Sequence, residues 1–433
     1  MSFLKVLGFD PAKHNVKTEI VAGITTFLTM AYILAVNPDI FSALEDMGMP
    51  KGAVFTATAL AAIVGTLVMS IYAKKPYALA PGLGLNAFFV YTVCLTMGYS
   101  WQFALTAVLI EGIIFIILTV TNVREAIINA IPKSMKSAVS AGIGLFIAFI
   151  GLVNAGIIVD DGGTIISLGT ITSGPALLAI VGLVITSVMM ILKVPGAMLI
   201  GIIVTAIIGI PFGITKFDGV VSAVPSISPI FCKFEFHNIL TWDMIIVVFT
   251  FLFIDMFDTI GTVIGVSKKA NAMNPDGTIP GVKKVLMADA VATVWGAICG
   301  TSTTTTYVES ASGVAEGGRT GLTSFTVAIC FAIALFFAPV FLAIPSAATA
   351  PALILVGVMM MSSILDVDFS DFSECIPAYI CMIVMPLAYS ISDGIMLGMI
   401  SFVVLNALTG KFKKISVMMW ILAVLFILRY ILL

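Results

Sequence analysis

The chain has 433 residues, 60% apolar and only 10% charged, with a formal net charge of -2 and a mean hydropathy of +1.17. No water-soluble surface tolerates such a composition, and charges confined to short connecting loops offer nothing to nucleic acid. The bilayer must be the solvent, so an all-α polytopic membrane protein is predicted: a lipid-facing backbone satisfies its own hydrogen bonds, and the alternating pattern of an outer-membrane barrel is absent.

The start, MSFLKVLGFDPAKHNVKTE, is too polar for a signal-peptide core, so the first helix is expected to insert uncleaved, with no soluble domain at either end. Apolar runs then follow near 19 to 36, 53 to 73, 83 to 97, 102 to 121, 136 to 158, 174 to 192 and 195 to 212. A polar, Gly/Pro-rich stretch at 213 to 240 separates them from runs near 242 to 266, 285 to 300, 306 to 316, 321 to 343, 348 to 365, 375 to 391 and 393 to 409. A last run, 415 to 433, reads as a further span or a helix lying on the membrane. The six cysteines (Cys94, Cys232, Cys299, Cys330, Cys375, Cys381) form no CxxC pair and read as small apolar residues, and no metal or cofactor is expected.

Basic residues set the orientation, since Lys and Arg in short loops favour the cytoplasm. A cytoplasmic N-terminus (Lys5, Lys13, Lys17) puts Lys74, Lys75, Arg124, Lys133, Lys136, Lys193, Lys268, Lys269, Lys283, Lys284 and Arg319 inside as well, with Lys51 and Lys216 as exceptions. The expected location is the inner (plasma) membrane. Seven segments plus seven inverts the second half relative to the first, the arrangement of inverted-repeat carriers. A shift of 231 residues lays Ala59, Ala61, Gly65, Ala80 and Gly82 on Ala290, Ala292, Gly296, Ala311 and Gly313.

Segments three and ten are short, and each follows sequence that resists a helix. Pro76 to Asn86 holds two prolines and two glycines, and Gly300 to Tyr307 holds a β-branched threonine run. Interruptions at corresponding positions of two halves point to a midplane binding site. Ionisable groups inside spans point the same way: Asp255 and Asp258, three residues apart on segment eight, and Glu309 at the start of segment ten. Glu111 reads equally as a structural hydrogen bonder or a participant in coupling, Asp393 as a turn or helix cap or a participant in gating, and Thr25 and Thr26 face either the cavity or their own backbone. With no intramembrane basic cluster for an anion, these carboxylates, Asn86, and the rings of Phe88, Phe89, Phe257 and Tyr307 suit a flat heterocycle with N–H donors.

At these residues the chain resembles the nucleobase:cation symporter-2 family, and within it the AzgA-like purine permeases. The strings are GITTFLTMAYILAVNP (23 to 38), APGLGLNAFF (80 to 89), DMFDTIGT (255 to 262), TSTTTTYVESASGVAEGGRTGLTS (301 to 324) and MPLAYSISDGI (385 to 395). The resemblance implies the uracil-permease-like fold of 14 transmembrane segments in a 7+7 inverted repeat, with short strands before segments 3 and 10. It implies a core of segments 1 to 4 (1–135) and 8 to 11 (241–345), moving against a gate of segments 5 to 7 (136–240) and 12 to 14 with the C-terminal helix (346–433). Purine uptake by proton symport is the implied function, with H+ the expected coupling ion and Na+ the other choice. Asp258 and Glu309 are the implied substrate and proton-coupling acids, joined by the backbone at Tyr307 and Val308; Asn86 and Asp255 gain importance in the AzgA-like branch, and Thr26 and Phe88 complete the candidate set. Dimers occur in the family, which makes a homodimer a further expectation. One departure stands out: uracil and xanthine permeases carry a histidine near the segment-eight acid, whereas here the histidines are His14 and His237, both outside the spans. An anion carrier of the same fold is the competing transport reading; an integral-membrane enzyme finds no supporting motif.

Overall fold

The computed structural model describes residues 2–121, 131–217, 219–270, 272–274 and 279–432. Arg124 lies outside them, as do the side chains of Phe257 and Lys268. The first half runs α1 (Val16–Met47), α2 (Lys51–Ala73), β1 (Leu79–Pro81), α3 (Leu83–Thr96), α4 (Trp101–Thr121), α5 (Lys133–Asn154), a hairpin of β2 (Ile158–Asp161) and β3 (Ile165–Leu168), α6 (Gly174–Ile191) and α7 (Ala197–Gly209). The second runs α8 (Trp242–Lys269), α9 (Val282–Cys299), β4 (Thr304–Thr306), α10 (Ser310–Ala315), α11 (Gly321–Leu342), α12 (Ser346–Asp366), α13 (Phe372–Leu387) and α14 (Ile391–Leu408), with α15 (Val417–Leu432) after it. Nine of the described helices are long and apolar enough to cross a bilayer unaided. The fold is thus the predicted multi-pass 7+7 array.

The two interruptions are where the halves meet. Pro81 has no N–H to continue a helix and Gly82 takes the N-cap of α3. In the second half Gly300 ends α9 in the left-handed region (φ +94), releasing the threonine run into extended backbone. β1 and β4 then pair antiparallel, Leu79 with Thr306, Ala80 with Thr305 and Pro81 with Thr304, all buried. Each strand supplies the partner that the other lacks, which is how non-helical backbone survives at membrane depth. The 231-residue shift holds where α2 and α9 begin (282 − 51). Gly65 of α2 and Gly296 of α9 occupy matching places under the strands: an added Cβ at Gly65 would meet the Ala292 Cβ at 2.8 Å, and one at Gly296 the Thr304 hydroxyl at 2.5 Å. The shift fails beyond the helices, because the strands are offset by 225 (304 − 79). Ala80 therefore lies in β1 whereas Ala311 lies in α10, so the matches of Ala80 and Gly82 are not structural equivalents.

Small residues set the helix contacts elsewhere, as expected where lipid supplies no hydrophobic drive between helices. On α5 and α12, Gly144 and Gly357 stand back to back; a Cβ on Gly357 would come within 2.5 Å of the Gly144 carbonyl. The final run is resolved by α15, which packs antiparallel on α14. Arg429 Nη1 and Tyr430 Oη, near its end, donate to Asp393 Oδ1 in the first turn of α14 at 3.3 and 2.7 Å. At the other end Lys411 and Lys414 pair with Asp371 at 3.1 and 2.7 Å. The helix therefore traverses the depth of the array alongside α14 and does not lie flat across its end.

Candidate functional site

The threonine run carries the site because its side chains have partners on both sides. Thr303 donates to Glu111 Oε2 at 2.6 Å, Thr305 shares a 2.7 Å bond with Thr259, and Ser302 donates to Asn86. Asp289 of α9, fully buried, accepts from the Thr306 backbone N–H (2.9 Å), the Thr306 hydroxyl (3.0 Å) and the Thr259 hydroxyl (2.9 Å). Glu111 thus takes a structural hydrogen bond. Tyr307 staples the halves together, its hydroxyl donating to the Pro81 carbonyl at 2.6 Å and its N–H to the Ala78 carbonyl at 2.9 Å. These bonds fix the backbone just before α10, and with it Glu309, the N-cap residue of that helix.

A cavity of about 430 Å³ opens in front of this frame. One wall is Gly82 to Leu85 at the start of α3, Thr306 to Glu309 before α10, and Asp258, Gly261 and Thr262 of α8; the facing wall is Val139, Ser140 and Ile143 of α5 with Val356, Met359, Met360, Ser362 and Ser363 of α12. Such a volume sits in the range of small-molecule pockets, roughly 300–1,000 Å³. The first N–H groups of α3 have no intrahelical partner and no side-chain cap, whereas those of α10 are taken by a tight turn, Ser310, Ala311 and Ser312 donating to the carbonyls of Tyr307, Val308 and Glu309 at 3.2, 2.9 and 2.9 Å. The wall thus offers two carboxylates, backbone donors, two tyrosine rings and apolar surface.

Of the candidate residues, the cavity unites Asp258, Glu309, Tyr307 and Val308. Asn86, Asp255, Thr26 and Phe88 are fully buried behind it and do not line it. Asn86 turns to Ser302, Asp255 accepts from the Thr259 hydroxyl at 3.1 Å, Thr26 packs against Gly313, and Phe88 stands edge-on to the Phe251 ring at 4.8 Å. Phe89 likewise packs on Phe41 and Phe251. Three residues along a helix are about 60° of rotation apart; on α8 that suffices to aim Asp258 into the cavity and Asp255 into protein. Tyr32, which sequence reading passed over, also lines the cavity and donates to Glu309 Oε1 at 2.7 Å. Asp289 was likewise missed, although an acid inside an apolar run is the signal that singled out Asp255 and Asp258.

The chain matches the model of a permease family over residues 17–397. It is 49% identical to a permease of Methanocaldococcus jannaschii, covering 99% of this chain and 98% of that one. It is 45% identical to the guanine/hypoxanthine permease PbuG of Bacillus subtilis (98% of each) and 41% identical to the adenine permease AdeQ of Escherichia coli (96% and 94%). In fold it is similar to the transmembrane domain of a cyanobacterial bicarbonate transporter (TM-score 0.65, 16% identity, 89% of this chain and 97% of that one). A murine anion transporter of Solute Carrier family 26 in its inward-facing state also matches (TM-score 0.68, 12%, 94% and 70%).

Proposed function

This chain belongs to the nucleobase:cation symporter-2 family of permeases, and on that premise we propose that it imports purine nucleobases by proton symport across the inner (plasma) membrane. It is a transporter and not an enzyme. The purine choice, adenine, guanine or hypoxanthine, is supported by relatives named for those bases at 41–45% identity over nearly their whole length.

One observation carries the site assignment: Asp258 and Glu309 share the wall of a single cavity bounded by both interrupted helices. Purine edges combine ring N–H donors with ring-nitrogen acceptors. The carboxylates take the donors, and the uncapped N–H groups at the start of α3 face the acceptors. Tyr307 and Val308 supply backbone and side-chain wall, while Asn86, Asp255, Thr26 and Phe88 support it from behind. A proton on an acid lowers the cost of closing a charged site within low-dielectric surroundings, which ties closure to symport. Asp258 and Glu309 are the coupling candidates that face the base, with Asp255 behind them.

In this reading residues 1–135 and 241–345 form the core and 136–240 and 346–433 the gate, and the cavity between them is the elevator's interface. Its gate wall comes from the first turns of α5 and the last of α12, close to the Lys133–Asp366 ion pair (2.7 Å). With the N-terminus cytoplasmic, that end is the cytoplasmic one, so the cavity faces inward. An anion carrier is disfavoured because the charged residues in the described lining are both acids. The test is uptake of radiolabelled purines into proteoliposomes with and without an imposed pH gradient. Stimulation by an inwardly directed proton gradient is expected; uptake that ignores the gradient, or follows Na+ instead, overturns the proton claim.

A further inference from the structure

We propose that Tyr32 is a positioning residue of the substrate site: its hydroxyl holds one oxygen of Glu309 so that the other is presented to an N–H-donating edge of the base. The inference rests on the substrate role of Glu309 given above.

The local sequence prepares the contact. Helix α1 is interrupted at Ala31 and Tyr32, between the pieces Val16–Met30 and Ile33–Phe41. Just ahead, the Thr29 hydroxyl bonds back to the carbonyls of Thr26 (2.8 Å) and Thr25 (3.1 Å), a pattern that bends helices. The same hydroxyl lies 3.5 Å from the Glu309 carbonyl, so the break is level with the start of α10. Tyr32 therefore reaches the cavity wall with little solvent exposure, and its oxygen stands 2.7 Å from Glu309 Oε1.

The other tyrosine of the cavity is not equivalent, because Tyr307 gives its hydroxyl to Pro81. Tyr32 is thus the lining phenol that engages an acid. A glutamate side chain has three torsions to order on binding, and its two oxygens are interchangeable until one is fixed. A charge-assisted phenol donor at this distance removes both freedoms before the substrate arrives. What remains exposed to the cavity is one oriented acceptor. Such a site penalises any purine analogue whose matching N–H has been replaced, since a buried carboxylate oxygen is then left without its partner.

Tyr32→Phe keeps the ring and deletes the donor. The expected result is a KM for purine uptake raised roughly ten- to hundred-fold with Vmax within about twofold of the parent, the range expected on losing a hydrogen bond to a charged group. The preference for the parent base over its ring-N-methylated analogues should shrink at the same time, which a purely structural role would not produce. A folded Tyr32→Phe protein with unchanged KM and unchanged selectivity overturns the inference, as does a parallel fall in Vmax and melting temperature with selectivity intact. Glu309→Gln separates the two levels. If it raises KM while Tyr32→Phe does not, only the positioning role fails. If it leaves KM unchanged, the assignment of Glu309 to the substrate fails as well.

Discussion

Replacing Asp289 by Ala tests whether the strand pair, more than the helices around it, holds the cavity in shape. Asp289 is fully buried and accepts three bonds, two from Thr306 and one from Thr259. Thr259 has other partners in Asp255 (3.1 Å) and Thr305 (2.7 Å), so it loses little. Thr306 loses the acceptor for its hydroxyl and also the side-chain acceptor for its backbone N–H, and each buried donor left unpaired costs about 1–3 kcal/mol. The sum is roughly 2–6 kcal/mol, partly offset because the variant no longer buries a carboxylate. The purified protein should melt several degrees lower in detergent, and its affinity for purine should fall, since Thr306 lines the cavity. Asp289→Asn keeps one acceptor oxygen and should fall between parent and Ala. An Asp289→Ala protein that melts with the parent and binds purine equally well would refute the view that this carboxylate anchors β4.

Asp258→Asn should abolish or strongly depress purine uptake, and Glu309→Gln should depress it at purine concentrations near the parent KM, while both proteins still reach the membrane, measured by transport alongside a quantitative membrane blot. Gly357→Val should destabilise the α5–α12 contact by at least 1–3 kcal/mol, the usual cost of overpacking, because a Cβ at Gly357 already lies 2.5 Å from the Gly144 carbonyl; thermal unfolding in detergent reads it. The carboxyl of Asp371, outside the spans, is held well below the usual carboxylate range, chiefly by the Lys414 hydrogen bond, then by Ser373 and Lys411. A depressed folded value means that the tie contributes fully above the unfolded value, about pH 4, and fades as pH falls through the folded one. Melting of Asp371→Asn and parent should therefore differ near pH 7 and converge in strong acid.

The apolar runs and their breaks made the seven-plus-seven array legible, because span length and helix-resistant residues are local properties. Asp258 and Glu309 were legible too, as charge where lipid permits none without a cavity. What the sequence hid is rotational and tertiary. Asp255 and Asp258 look alike on paper, yet a sixth of a turn sends one to Thr259 and the other to the cavity. Phe88 and Asn86 share the string that opens α3 with Leu83 and Leu85, but their directions depend on where Phe251 and Ser302 stand. Tyr32 and Glu309 are 277 residues apart, and no periodicity links them. Asp289 was overlooked because its span begins beside Lys283 and Lys284, where an acid reads as a charged helix end.

The antiparallel course of α15 has a consequence for anyone handling this protein. Fourteen passages return a chain to the face from which it set out, and a fifteenth element running back beside α14 reverses that parity. An affinity tag or reporter joined after α15 therefore emerges on the face opposite one joined before α1. Fusions at the two ends will answer to different reagents in intact cells, and a protease confined to one side will remove only one of them.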